Sequence, residues 1–308
     1  MIVSPDTKGT IDPILHNIIR DIRADIPIVA VTRLDNFQFD ERLYDLKEYV
    51  LFDYVENFWN WNRKETHLFG KNTDKFEYLF QGGEWMKFDA FVKANPPKKY
   101  FKRELLAKDQ SDTVISSTYP CWHTGFKTQT REEFNSRRID VFHYWGHSHE
   151  SRRAFQGNAY LHAIKEDITI IDNIYYIGGF LAEKHKRYWA TMHIPHFARI
   201  DIGEILQVNN NSKLSLSMPG AGTRCFRDSE SPINSVMIRE YDELAFPYSW
   251  EHGVNCILYK DNPIPYIEEA LRRDDLYDIY LAGLETIEKY RIDNYLRNYI
   301  EPKINECL

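Results

Sequence analysis

Pro219-Gly220-Ala221-Gly222-Thr223-Arg224-Cys225-Phe226-Arg227-Asp228-Ser229-Glu230-Ser231-Pro232 is the stretch that decides how this chain is read. It follows the alternating run Leu214-Ser215-Leu216-Ser217-Met218, which reads as a strand. It precedes Ile233-Asn234-Ser235-Val236-Met237, which continues as a helix and then a second short strand. A strand, a glycine turn and a helix start leave backbone N–H groups where an anion can sit. Arg224 and Arg227 add phosphate-binding forks, and Glu230 adds an acceptor for hydroxyls. The set suits a nucleotide sugar, with phosphates for the arginines and ribose hydroxyls for the carboxylate.

Outward from that stretch, the chain has 308 residues, room for one large domain or two ordinary ones. At 43% hydrophobic and 15% aromatic it can fill a core, which argues against disorder. Its four cysteines are widely spaced with no C-x-x-C, so they are expected to be reduced, in a cytoplasmic setting. No apolar run reaches membrane length and the N-terminus lacks a basic-then-apolar leader, so a soluble chain is expected. A net charge of −7 does not favour general attraction to nucleic acid. The local exception is Lys93, Lys98, Lys99, Lys102, Arg103 and Lys108 against one acid, Glu104. That run is either a solvated basic face or a surface for a polyanionic acceptor.

The periodicity predicts two α/β units. Ile2-Val3, Ile26 to Val31, Tyr49 to Phe52 and Tyr100 to Glu104 read as strands of the first, with a helix over Ile11 to Ile22. Residues 57 to 95 form an aromatic insertion, which packs internally or offers a stacking platform. Ser111 to Arg138 reads as a linker. The second unit has strands at Ile139 to Gly146, Tyr175 to Phe180 and Lys213 to Met218, with a helix over Glu150 to Lys165. From Leu276, the apolar positions Ile279, Tyr280, Gly283, Leu284, Ile287 and Tyr290 mark an amphipathic closing helix.

Three places carry a family resemblance. They are the strand Tyr100-Phe101-Lys102-Arg103, the segment Ile139 to Arg153 with its Gly-x-Ser-x-x-Ser-Arg-Arg, and the stretch quoted first, through Met237. The pattern resembles glycosyltransferases of the GT-B architecture, exostosin-like and bacterial or phage members among them. The resemblance implies two facing Rossmann-like domains, residues 1–125 on the acceptor side and 126–275 binding the nucleotide sugar. Residues 276–308 would then form a helical segment packing back across both. It implies a hexosyl- or pentosyltransferase with a UDP-linked donor as co-substrate and no required metal or other cofactor. Ser148, Arg152, Arg153, Gly222, Arg224, Arg227, Glu230 and Ser231 would line the donor site, and Lys99, Lys102 and Arg103 the acceptor side. The loop after the first strand is Asp6-Thr7-Lys8-Gly9-Thr10 where the family carries a Gly-Gly pair.

A catalytic base must reach the acceptor hydroxyl. Asp6 follows the first strand and Asp35 the second, at the strand ends where α/β sheets place ligands, with Asp53 and Glu56 as further candidates. The acceptor is read as a glycan or lipid-linked sugar, or a hydroxymethylated DNA base, which would put a phage enzyme in the host cytoplasm. Other readings stay open at this stage. Arg227 and Glu230 are also spaced for an i,i+3 helical ion pair. Gly146-His147-Ser148-His149 resembles one metal motif of a phosphoesterase, but its partner motifs are missing from the sequence. The tryptophans also fit a non-catalytic carbohydrate- or nucleic-acid-binding protein.

Overall fold

The computed structural model describes residues 2–3, 21–22, 25–31, 39–54, 83–121, 123, 127–145, 168–171, 174–177, 189–193, 202–218 and 227–308. Two sheets organise them. The first holds β1 (Ile2–Val3), β2 (Ile28–Val31), β3 (Val50–Asp53), β4 (Lys99–Lys102) and β5 (Val114–Ser116), all parallel and in chain order. Strands β2 to β5 are buried along their whole length, as expected of continuous β-branched and aromatic runs in a parallel sheet. Strand β5 corrects the linker expected over Ser111 to Arg138. Its three residues are too short to show a period, and the pairing of Tyr100 with Val114 and Phe101 with Ile115 supplies what the local sequence lacks. The strand order shows no reversal among the described residues, so this sheet has no switch point of the kind found in the second sheet.

Side chains alternate between the two faces of the first sheet. Val29, Leu51, Tyr100 and Val114 pack against Phe88, Phe91 and Val92 of helix α1 (Gly83–Ala94), whose i, i+3, i+4 spacing makes one apolar stripe. Ile28, Ala30, Val50, Phe52, Phe101 and Ile115 occupy the other face. They share a core with Tyr295, Leu296, Ile300 and Ile304 from much later in the chain.

The second sheet has seven strands. They are β6 (Ile139–Trp145), β7 (Ile168–Ile171), β8 (Ile174–Ile177), β9 (Trp189–His193), β10 (Ser212–Ser217), β11 (Val236–Glu240) and β12 (Ile257–Tyr259). Their order is β12-β11-β10-β6-β9-β8-β7, with β7-β8-β9 antiparallel and the remainder parallel. Helices α2 (Arg131–Asn135), α3 (Ile202–Asn210), α4 (Arg227–Asn234) and α5 (Pro263–Ala270) belong to this half. Thr130 starts α2 with a reciprocal capping box to Glu133, and Asn262 caps α5 with Pro263 in its first turn. The helix expected over Glu150 to Lys165 lies outside the described residues, as do residues 57–82 of the aromatic insertion expected over 57–95, whose described part is the helix α1.

The serines of β10 are explained by α4. Ser215 donates to the Ser231 hydroxyl at 3.0 Å and Ser217 to Asp228 at 2.7 Å, so small side chains let the helix sit close on the strand. Asn209 of α3 fixes the same helix by donating to the Ser231 carbonyl at 3.1 Å.

The closing helix is present as α6 (Leu276–Tyr290), and it continues beyond a break at Arg291 as α7 (Ile292–Tyr295), a π-helical turn (Leu296–Ile300) and α8 (Glu301–Asn305). Helix α6 packs on α4, and the later segments pack on the first sheet. The Tyr295 hydroxyl meets Ser117 Oγ at 3.1 Å and accepts from the Thr118 N–H, while Tyr299 donates to the Ser116 carbonyl at 2.9 Å. Where the chain crosses between halves, the Cys121 N–H donates to Tyr290 and the Ile292 N–H returns a bond to Cys121. Gly283 is the point of closest approach in α6, because a Cβ there would lie 2.8 Å from the Asn255 carbonyl oxygen. The Asn255 amide is itself held by bonds to Ser249 and Thr286, so the carbonyl cannot retreat cheaply. Gly283→Ala is therefore expected to lower stability by about 1–2 kcal/mol, the overpacking cost outweighing the helix-propensity gain. The check is a fall in the urea midpoint with an unchanged m-value.

Candidate functional site

The order of the second sheet reverses at β6, since β7 to β9 lie on one side of it and β10 to β12 on the other. Open α/β sheets bind ligands at the carboxyl ends of the strands at such a reversal. Strands β6 and β10 are neighbours there, with Val141 beside Leu214 and Phe142 beside Ser215. The segments following them carry Ser148, Arg152 and Arg153 in one case and Gly222 and Arg224 in the other. Those five residues lie outside the described residues, as do Asp6 and Asp35, which follow the neighbouring strands β1 and β2. Segments roughly 70 residues apart in sequence are thus launched side by side from one edge, the kind of crossover a parallel sheet requires.

Helix α4 begins at that edge. Arg227 is in its first turn, nearly buried, and donates to the Met218 carbonyl at the end of β10 at 3.0 Å. Glu230 follows on the same turn, half-buried. Ser231 is wholly buried, with its hydroxyl on Ser215 and its carbonyl on Asn209, contacts that pack the helix against the sheet.

Charges that the sequence reading passed over close the edge on its other side. Arg239, in β11, sits in the same row as Ser217 of β10 and Leu258 of β12. Its guanidinium lies 3.4 Å from Asp228, donates to Asp242 at 2.5 Å and covers the Phe246 ring at 4.6 Å. Glu240 follows, and burial pushes its carboxyl above the ordinary glutamate range; Arg239 pulls it down, and Asp242 and Asp261 push it further up. The available signal was the Arg-Glu pair ending the strand Val236 to Glu240, at the carboxyl end where ligands bind.

The first sheet presents a different picture. Asp53 accepts from the Tyr100 hydroxyl at 2.6 Å and from the Lys102 amine at 3.0 Å, with both members of the ion pair fully buried. Lys99 donates to the Asp112 carbonyl and to Glu306, and Arg103 is buried with its guanidinium over Tyr119. Lys99, Lys102 and Arg103 therefore turn inward and are held by the fold. At the surface Lys93 pairs with Asp89 and Lys98 with Glu48, so no continuous basic face forms from this run. Burial pushes the Cys121 and Cys256 thiols up to about 12, which leaves both un-ionised at neutral pH. Among the described residues, no group of three or more His, Cys, Asp or Glu side chains is placed to hold a metal ion.

No family model matches the sequence, and no curated protein matches it either. Several solved structures are similar in shape. TarM aligns at a TM-score of 0.44 and 13% identity over 95% of this chain, which spans 57% of the TarM chain. The glycotransferase of kitacinnamycin aligns at 0.41 and 12% identity, covering 95% of this chain and 79% of its own. A Listeria monocytogenes protein assigned as a UDP-N-acetylglucosamine 2-epimerase aligns at 0.37 and 12% identity, covering 93% and 84%. The functional reading rests on the residues of the chain itself.

Glu240 supplies a pH test of the edge. A carboxyl whose folded pKa lies above its unfolded value loses stability as pH rises through that interval and carries the penalty at neutral pH. Glu240→Gln is expected to raise stability at pH 7, with the gain vanishing below about pH 4.3, where glutamate is protonated in both states. Thermal unfolding of both proteins across that range is the measurement.

Proposed function

We propose that the chain is a glycosyltransferase that takes a sugar from a nucleotide donor bound at the carboxyl edge of the second sheet. The observation that carries this is the pairing of β6 with β10 at the strand-order reversal, with α4 starting at the same edge. A helix start and the flanking loops offer N–H groups to a diphosphate. Arginine forks from Arg152, Arg153, Arg224 and Arg227 would stabilise the leaving diphosphate as its negative charge grows. Glu230 would accept hydrogen bonds from the ribose hydroxyls, and Ser148 would add a donor to a phosphate.

In this reading the first half, residues 1–125, faces the donor half, residues 126–275, across a cleft. Contacts at the junction support it. The loop leaving β4 and the loop leaving β11 meet in an antiparallel bridge of Leu106 with Leu244, the Ala107 N–H donating to the Glu243 carbonyl and the Ala245 N–H to the Leu105 carbonyl. Both loops exit carboxyl ends, so these ends approach each other. Asp6 and Asp35 follow adjacent strands of the first half and are the proposed bases, the chosen one taking the acceptor proton as the new bond forms. Glu240, its carboxyl shifted toward neutrality, is a further group able to exchange a proton at the edge. A uridine diphosphate donor and a metal-independent reaction complete the proposal.

Titration calorimetry with uridine diphosphate tests it on the full chain. Binding is expected, and Glu230→Ala is expected to weaken it about tenfold, the loss of one charge-assisted hydrogen bond. An unchanged affinity in a folded Glu230→Ala protein, or no binding of any nucleoside diphosphate, would overturn the donor site.

A further inference from the structure

A pocket of about 470 Å³ lies where the loop after β11 meets the loop after β4. Its lining residues are not those assigned to the donor, and it opens at the edge where α4 begins. Arg239 forms part of its wall and touches Asp228 in the first turn of α4, so the pocket opens about two strand spacings, ~10 Å, from the β6–β10 reversal. Its volume falls within the ~300–1,000 Å³ range of small-molecule sites.

The lining selects a ligand class. Leu244, Phe246, Trp250 and Leu258 form the apolar part. Lys108, Tyr241, Glu243 and Ser249 are exposed around it. Tyr241 is 49% exposed, with its ring against the Lys260 amine. Among the described residues, the Lys108 amine and the Glu243 carboxylate have no ion-pair partner. The formal charges of Lys108, Arg239, Asp242 and Glu243 cancel, and Arg239 is already matched by two carboxylates. A polyanion would find no net positive charge here. A purely apolar chain would bury the rim ions without giving them partners, which costs free energy. A sugar ring answers both parts, with C–H faces for the aromatic rings and hydroxyls that donate to Glu243 and accept from Lys108.

We infer that this pocket is a subsite for an uncharged oligosaccharide. Its role as the acceptor subsite rests on the transferase reading, while sugar binding itself does not. A neutral glycan fits this pocket, whereas the phosphate backbone of DNA does not.

The test is a glycan array carrying neutral and acidic oligosaccharides, probed with the full labelled chain, alongside calorimetry with uridine diphosphate. The expected result is retention on neutral glycans, with Tyr241→Ala and Glu243→Gln each weakening it about five- to tenfold. Both side chains are exposed, so the melting temperature should hold. Uridine diphosphate binding should also hold in both variants. Absence of neutral-glycan binding, binding to acidic glycans only, or neutral binding untouched by both substitutions would overturn the pocket. Glycan binding by a chain that ignores every nucleoside diphosphate would keep the pocket and remove the transferase reading. Nucleotide binding without glycan binding would do the reverse.

Discussion

Strand β6 is paired in register on both sides, with β10 along one edge and β9 along the other. Everything at the candidate site hangs on that double pairing. It aligns the carboxyl ends of β6 and β10, and β11 extends the same alignment by one strand, with Ser217 beside Arg239. A one-residue slip would turn Ser215 and Ser217 away from α4, exchange them for Leu214 and Leu216, and detach the helix from the strand. The serines on one face and leucines on the other thus encode the register as well as the packing.

Charge at this edge is arranged for rigidity. Arg239 reaches both Asp228 on α4 and Asp242 on the following loop, a task for a planar fork that a lysine amine could not duplicate. It therefore ties the helix start to the loop that pairs with the first half. Asp53, Tyr100 and Lys102 do comparable work at the end of the first sheet, where two strands share one buried carboxylate. Breaking either cluster by removing one partner would leave a buried charge exposed to low dielectric, at a cost of about 3–5 kcal/mol. Such groups hold geometry more than they add stability.

Much of this was legible in the sequence because it is local. The apolar runs at Ile28–Val31, Val50–Asp53 and Ile139–Trp145 and the amphipathic spacing of Leu276–Tyr290 all announce themselves within a few residues. What was hidden depends on partners far along the chain. Strand β5 exists because β4 is beside it. Lys102 is buried because Asp53, 49 residues earlier, is waiting for it. A basic run read without its partners looks like a surface, although its strand is enclosed on both faces. The candidate site divides in the same way. Arg227 and Glu230 were visible from the strand–turn–helix pattern, whereas Arg239, Asp242 and the pocket they border needed the β10–β11 register and the junction of two loops.

The cover of the first sheet comes from residues 295–304, whose tyrosine and isoleucine side chains close the face formed by Ile28, Val50, Phe52 and Phe101. The strands of that face are complete in sequence once Ser116 has been made, about 180 residues before residues 295–304 arrive. At ribosomal speeds of ~5–20 residues per second, the interval is on the order of ten to thirty seconds. During that time the apolar side chains of Ile28, Val50, Phe52 and Phe101 lack the part of their packing that residues 295–304 supply. Translation speed and chaperone occupancy thereby become part of how this chain reaches its native state, and a pause late in the message would lengthen its most aggregation-prone moment.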